Sequence, residues 1–153
     1  MSPLPSSPKT VLTFGVFDML HIGHILLFKR ARGLGDALLV AVQDDREILK
    51  YKPDTKVIYN TEDRIFMVSS IRYVNRVCLY HDVDIDIQNL DFDILAIGQD
   101  QTHPGFMKAV QWCQNHGKEV IRLPRTEGIS STLLRDYQNT NEYPTTVNDQ
   151  RVP

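Results

Sequence analysis

Short β-rich apolar runs alternate along the chain with longer stretches whose apolar residues return at helical spacing. Val11 to Phe17 is the first run, and Ile22 to Leu34 follows as a helix that Gly33-Leu34-Gly35-Asp36 brings to a stop. Ala37 to Val42 predicts a second buried strand. Asp44 to Ile58 is polar and carries Lys50, Lys52 and Lys56. It reads as a long loop, of a length that compact domains reserve for functional segments. Asn60 or Thr61 caps a helix running to about Tyr73, with Glu62 and Asp63 suitably placed in its first turn. Arg76 to Tyr80 predicts the third strand and Asp93 to Ile97 the fourth, and a polar loop, Gly98 to Gly105, leaves the fourth. Phe106 to His116 reads as a helix with Met107, Val110, Trp112 and Cys113 inward. Glu119 to Leu123 is the fifth strand, and Pro124 to Thr132 leads into a last helix through Tyr137. The alternation predicts an α/β fold, a parallel five-stranded sheet with helices on both faces.

A chain of 153 residues suits one domain, here expected over 10–138, with flexible polar tails at 1–9 and 139–153. With 17 basic and 19 acidic residues there is no strong field, which argues against nucleic-acid or membrane-surface partners. The isolated Cys78 and Cys113, and the lack of a signal-like start or a long apolar run, predict a cytoplasmic protein without disulfides. Asp82, Asp84 and Asp86 lack the glycine and closing glutamate of a calcium loop and read as a solvated face.

Chemistry concentrates where the first strand meets the first helix. His21 and His24 are three residues apart, so both rings share one side of the first turn, and Gly23 lets a ligand approach the backbone. Such a junction offers backbone N–H groups and the positive end of a helix dipole to phosphate. A His-x-x-His pair also serves packing or zinc, but no third ligand stands at a zinc spacing. The loop beginning at Gly98 should face this turn across the switch point of a doubly wound sheet. Arg125, close to Gly128, Ser130 and Ser131, adds a guanidinium beside a helix start, a good oxyanion site.

Gly15-x-Phe17-Asp18-x-x-His21-x-Gly23-His24, paired with Arg125-Thr126-Glu127-Gly128-Ile129-Ser130-Ser131-Thr132, resembles the cytidylyltransferase family, most closely its bacterial glycerol-3-phosphate members. The likeness runs from about Thr10 to Tyr137. It implies a Rossmann-like fold of the HIGH-motif nucleotidylyltransferase type, commonly a homodimer. The implied activity moves CMP from CTP to a small phosphorylated acceptor, such as glycerol 3-phosphate or a polyol, sugar or amino-compound phosphate. Pyrophosphate is released, and the CDP-activated product serves cell-surface polymer synthesis.

By the same resemblance His21, His24, Lys50 and Arg125 are expected to be catalytic. Phe14, Gly15, Phe17, Asp18, Gly23, Lys52, Gly98, Asp100, Thr126, Gly128, Ile129, Ser130, Ser131 and Thr132 are expected to bind the nucleotide. Arg64, Arg72, Gln99 and Gln101 are assigned to the acceptor. Magnesium is expected with the triphosphate and no residue is assigned as its ligand, although Asp18 could approach it or orient a histidine. Glycerol-3-phosphate enzymes usually read Gly-Asp-Asp-Trp where this chain has Gly98-Gln99-Asp100-Gln101. That departure leaves open an adenylyltransferase using ATP with an acceptor such as FMN, and a catalytically silent nucleotide-binding protein stands as a further alternative.

Overall fold

A computed structural model describes residues 3–126 apart from Pro5 and Thr55. The expected last helix and the tail from 139 lie outside the described residues. Elements follow in the order β1 (Thr10–Gly15), α1 (Ile22–Arg32), β2 (Ala37–Gln43), α2 (Asp45–Tyr51), α3 (Thr61–Ser69) and β3 (Arg76–Tyr80). Then come α4 (Val83–Asp86) with a 3₁₀ turn at Ile87–Asn89, β4 (Ile94–Gly98), α5 (Pro104–Asn115) and β5 (Glu119–Leu123).

The strands form one parallel sheet in the order β3-β2-β1-β4-β5. The central strands are apolar at nearly every position because helices cover both faces. Alternate residues supply opposite cores. Leu12, Phe14, Leu39, Ala41, Leu95 and Ile97 pack with Val83, Ile87, Phe106, Ala109 and Cys113 on the α4 and α5 side. Val11, Leu38, Val40, Val42, Ile94 and Ala96 pack with Phe28, Ala31 and Val68 on the α1 and α3 side. Each buried Val, Leu, Ile or Phe among them contributes roughly 1.5–3 kcal/mol before the entropy of ordering it is subtracted.

The sheet opens at its centre. β1 pairs with β2 from Thr10↔Ala37 to Gly15↔Val42, but with β4 only at Val11↔Ile94 and Leu12↔Leu95. Beyond those rungs the two strands part, and a crevice forms at their carboxyl ends, where the chain departs in opposite directions.

Three expectations about the elements themselves need correction. The segment from Asp44 to Ile58 is not all loop: Asp44 accepts from the Arg46 N–H at 2.8 Å and caps α2. A seven-residue helix that buries Ile48 is too short to show a period. α3 stops at Ser69, short of Tyr73. In α5 Phe106, Ala109 and Cys113 are buried and Val110 and Trp112 pack partly against the same core, whereas Met107 is 48% exposed because it lies off the i, i+3, i+7 row that starts at Phe106.

Arg64 is the largest correction. Expected at the acceptor, it is fully buried. Its Nε donates to the Tyr59 carbonyl at 3.0 Å, its Nη1 to those of Val16 and Gln43 at 2.9 and 2.8 Å, and its Nη2 to Thr61 Oγ1 at 3.2 Å. The guanidinium satisfies carbonyls that leave regular structure at the ends of β1, β2 and the α2–α3 connection, and no face of it remains for a substrate. Arg64→Met should lower the unfolding free energy by roughly 3–5 kcal/mol, since it strands those buried acceptors. Urea titration checks this, and a loss below about 1 kcal/mol would show that the carbonyls find other donors.

Candidate active site

The turn from β1 into α1 folds sharply. Phe17 and Met19 take positive φ values of 55° and 50°, a costly backbone for side-chain-bearing residues and one that clusters at functional sites. Phe17 folds its ring back over Gly15, where an added Cβ would sit 2.6 Å from the ring. A side chain at position 15 would push the turn open. Asp18 is nearly buried, and its two oxygens accept from the Ile58 and Tyr59 N–H groups at 2.8 and 3.0 Å. It thereby ties the α2–α3 connection to the turn.

The histidines cap α1 in a reciprocal way. His21 Nδ1 accepts from the Gly23 N–H at 3.0 Å, and His24 Nδ1 accepts from the His21 N–H at 3.3 Å. Two orphan donors of the helix start are thus satisfied by imidazole. A ring nitrogen that accepts must lack a proton, so each neutral ring carries its hydrogen on Nε2. The rings stack with centroids 3.8 Å apart, and Phe17 meets His24 edge-on at 5.5 Å. Burial, helped by the Arg125 charge, lowers the His21 pKa to about 4. Burial, helped by the His21 charge, lowers that of His24 to about 3. Both are therefore uncharged Nε2–H donors at neutral pH.

The crevice holds a cavity of about 440 Å³. Phe14, Gly15, Phe17, Asp18, His21, Gly23 and His24 line one side, and Gly98, Asp100, Gln101, Arg125 and Thr126 the other. Lys52, Leu27, Ile48 and Val57 close it. Arg125 Nη1 lies 3.1 Å from Asp100 Oδ2, with both side chains more than half exposed at the mouth. Such an exposed pair is weak and yields readily to a polyanion. From α1, Arg30 Nη1 reaches 94 residues along the chain to the Pro124 carbonyl at 3.2 Å and lies 3.4 Å from Thr126 Oγ1. This arginine holds the strand exit that carries Arg125. A neutral donor pair facing a guanidinium across a partly apolar cleft suits a polyphosphate joined to a flat ring.

Comparison with known proteins decides the family. A family model described as cytidylyltransferase-like matches residues 12–137. The chain belongs to the cytidylyltransferase-like family. The glycerol-3-phosphate cytidylyltransferase of Staphylococcus aureus is 39% identical over 132 residues, covering 83% of this chain and 92% of the relative. The FAD synthase of Thermococcus kodakarensis is 40% identical over 119 residues, covering 74% and 78%. The crystal structure of the lipopolysaccharide core biosynthesis protein from Thermoplasma volcanium GSS1 superposes with a TM-score of 0.68 at 26% identity, covering 79% of this chain and 100% of that one.

Within this cytidylyltransferase-like fold, not every expected site residue reaches the cavity. Lys50 does not line it; its side chain is 64% exposed and lies 3.8 Å from Glu47 Oε2 on its own helix. Lys52, past the end of α2, does. Arg72 is exposed in the turn before β3, at the amino end of the sheet, where its guanidinium lies 5.9 Å from the Tyr73 ring. It stands at the wrong end of the strands to meet an acceptor. Gln99 is exposed and outside the lining, while Gln101 lines the cavity with its amide already engaged by backbone. Gly128, Ile129, Ser130, Ser131 and Thr132 lie outside the described residues. Ile48 and Val57 in the lining, and Arg30 through its bond to the Pro124 carbonyl, were not anticipated, and no local pattern marks them.

The folded histidine pKa values lie below the ordinary 6.5. The unfolded chain therefore binds more protons on acidification, so their contribution to stability is complete above pH 6.5 and is lost as the pH falls towards 4 and then 3. Nitrogen-15 spectra of the free protein should show both rings as Nε2–H tautomers, with no titration between about pH 5 and 8, where a free histidine changes charge. A midpoint near 6.5 for either ring would break the capping assignment.

Proposed function

We propose that the protein transfers CMP from CTP to a small phosphorylated acceptor, of which glycerol 3-phosphate is the first candidate, and releases pyrophosphate. The observation that carries this reading is the capped histidine pair, presenting two fixed Nε2–H donors to the crevice opposite Arg125 in a chain of this family. The relationship to the Staphylococcus aureus enzyme supports the choice of nucleotide and acceptor.

An acceptor phosphate oxygen attacks the α-phosphorus in line, the bond to the bridging oxygen breaks, and its electrons leave with pyrophosphate. No covalent intermediate with the protein is needed, so catalysis rests on positioning and charge stabilisation. His21 and His24 donate to oxygens around the α and β phosphates. Because the rings are neutral and already oriented by the helix start, they spend nothing on reorganisation as charge develops. Arg125 exchanges Asp100 for the outer phosphates, and Lys52 closes from the opposite rim.

A magnesium ion would enter with the triphosphate, in the cleft that Asp18, His21 and His24 line. Among the described residues no three His, Cys, Asp or Glu side chains converge, and both Asp18 oxygens accept from backbone. Bound there, the ion would neutralise phosphate charge. We read the protein as a cytoplasmic homodimer; apolar surface at Phe66, 72% exposed on α3, and Leu79, 41% exposed on the edge strand β3, supports the pairing of two copies. No helix of the described residues is long and apolar enough to cross a membrane.

A second reading, adenylyl transfer from ATP to an acceptor such as FMN, is favoured by the Gly98-Gln99-Asp100-Gln101 loop and by the Thermococcus relative. Pyrophosphate release with CTP and with ATP, against a panel of polyol, sugar and amino-compound phosphates and FMN, separates the two. CTP with a polyol phosphate should be turned over fastest. ATP with FMN as the best pair would replace the first reading with the second. His24→Ala should lose about 10²- to 10³-fold in kcat while its circular dichroism stays native. Near wild-type turnover in that variant would remove the ring from the mechanism.

A further inference from the structure

We propose that Gln101 is a positioning residue whose side-chain amide replaces the missing rung between β1 and β4 and so fixes the width of the crevice. This rests on the nucleotidyl-transfer reading only for its effect on rate.

β1 and β4 stop pairing after Leu12↔Leu95, yet each keeps its outer partner, β1 to Gly15↔Val42 and β4 to Gly98↔Leu123. The two inner edges are therefore left open at the point where a ligand must enter, and open backbone groups next to a core need partners. Gln101 supplies both from one side chain. Its Nε2 donates to the Phe14 carbonyl at 3.0 Å, and its Oε1 accepts from the Gly98 N–H at 2.9 Å. Only one orientation of the amide satisfies both bonds, so the donor and acceptor ends are fixed by the backbone they meet.

The strut also shapes its own loop. The Gln101 N–H donates to the Gly98 carbonyl at 3.2 Å, closing a tight turn through Gln99 and Asp100. That turn delivers Asp100 to Arg125. On the far side, Phe14 precedes Gly15 and the strained Phe17, which lead to the histidines. One planar amide thus ties the histidine wall of the cavity to the arginine wall. A carboxylate of the same length offers no donor to Phe14, and an aliphatic side chain offers neither bond.

Gln101→Leu and Gln101→Glu test this by two independent readouts. In Gln101→Leu the Gly98 amide should exchange with deuterium much faster than in the wild type. In Gln101→Glu it should remain protected, because the carboxylate still accepts. Both variants should lose kcat, by about 10²-fold if the walls shift by about 1 Å, with KM for the acceptor little changed. Unaltered Gly98 exchange in Gln101→Leu would overturn the strut. A loss confined to acceptor KM would overturn it as well, and would make Gln101 an acceptor contact. The exchange arm needs no turnover, so wild-type protein inactive with every nucleotide would sink the proposed function while Gly98 exchange still decided the strut.

Discussion

The buried guanidinium of Arg64 is the contact around which the ligand-facing end of this protein is assembled. A parallel sheet leaves its strand ends with carbonyls that have no ladder partner, and here three chain segments bring such carbonyls together under the crevice. A lysine would offer one compact charge. Arginine offers a planar fork of donors and reaches Val16, Gln43, Tyr59 and Thr61 at once. Burial pulls its pKa down from the usual value, while Asp18, Asp45 and Asp44 oppose that shift. Asp18 binds the same α2–α3 connection through two N–H groups. The connection that carries Val57 to the cavity is therefore held from both sides.

The charge pattern of the cleft follows from one helix start. Histidine is an unusual cap, because serine or aspartate would satisfy the same N–H groups with a smaller side chain. Imidazole does what they cannot: accepting with Nδ1 forces the hydrogen onto Nε2 and leaves a second polar atom for a ligand. Two stacked imidazolium rings near Arg125 would repel one another strongly, and burial already disfavours the charged form. The histidine pair is accordingly a donor without a charge of its own. Two cations, Lys52 and Arg125, line the cavity with exposed side chains that water screens.

Much of this was written in the sequence. Strand order apart, the β-rich runs fell within one or two residues of the observed strands, because buried parallel strands are apolar on both faces and stand out from any neighbour. The histidine turn and Arg125 were legible because their residue types and spacing carry their chemistry locally. α2 was hidden by its brevity, and Met107 proved exposed because it lies off the buried row of α5.

What the sequence determined by itself was the fold class and the family, since the first depends on a period along the chain and the second on two motifs whose residue types and spacing are local. What only the tertiary structure decided was the employment of the polar side chains. Arg64, Arg72 and Gln101 look alike on paper as groups that could greet an acceptor. In three dimensions one is sealed beneath the crevice, one stands at the opposite end of the sheet, and one bridges two diverging strands. A donor or acceptor is claimed by whichever unsatisfied group folding brings within about 3 Å. For these residues the claimants lie far along the chain, where no spacing rule can reach them.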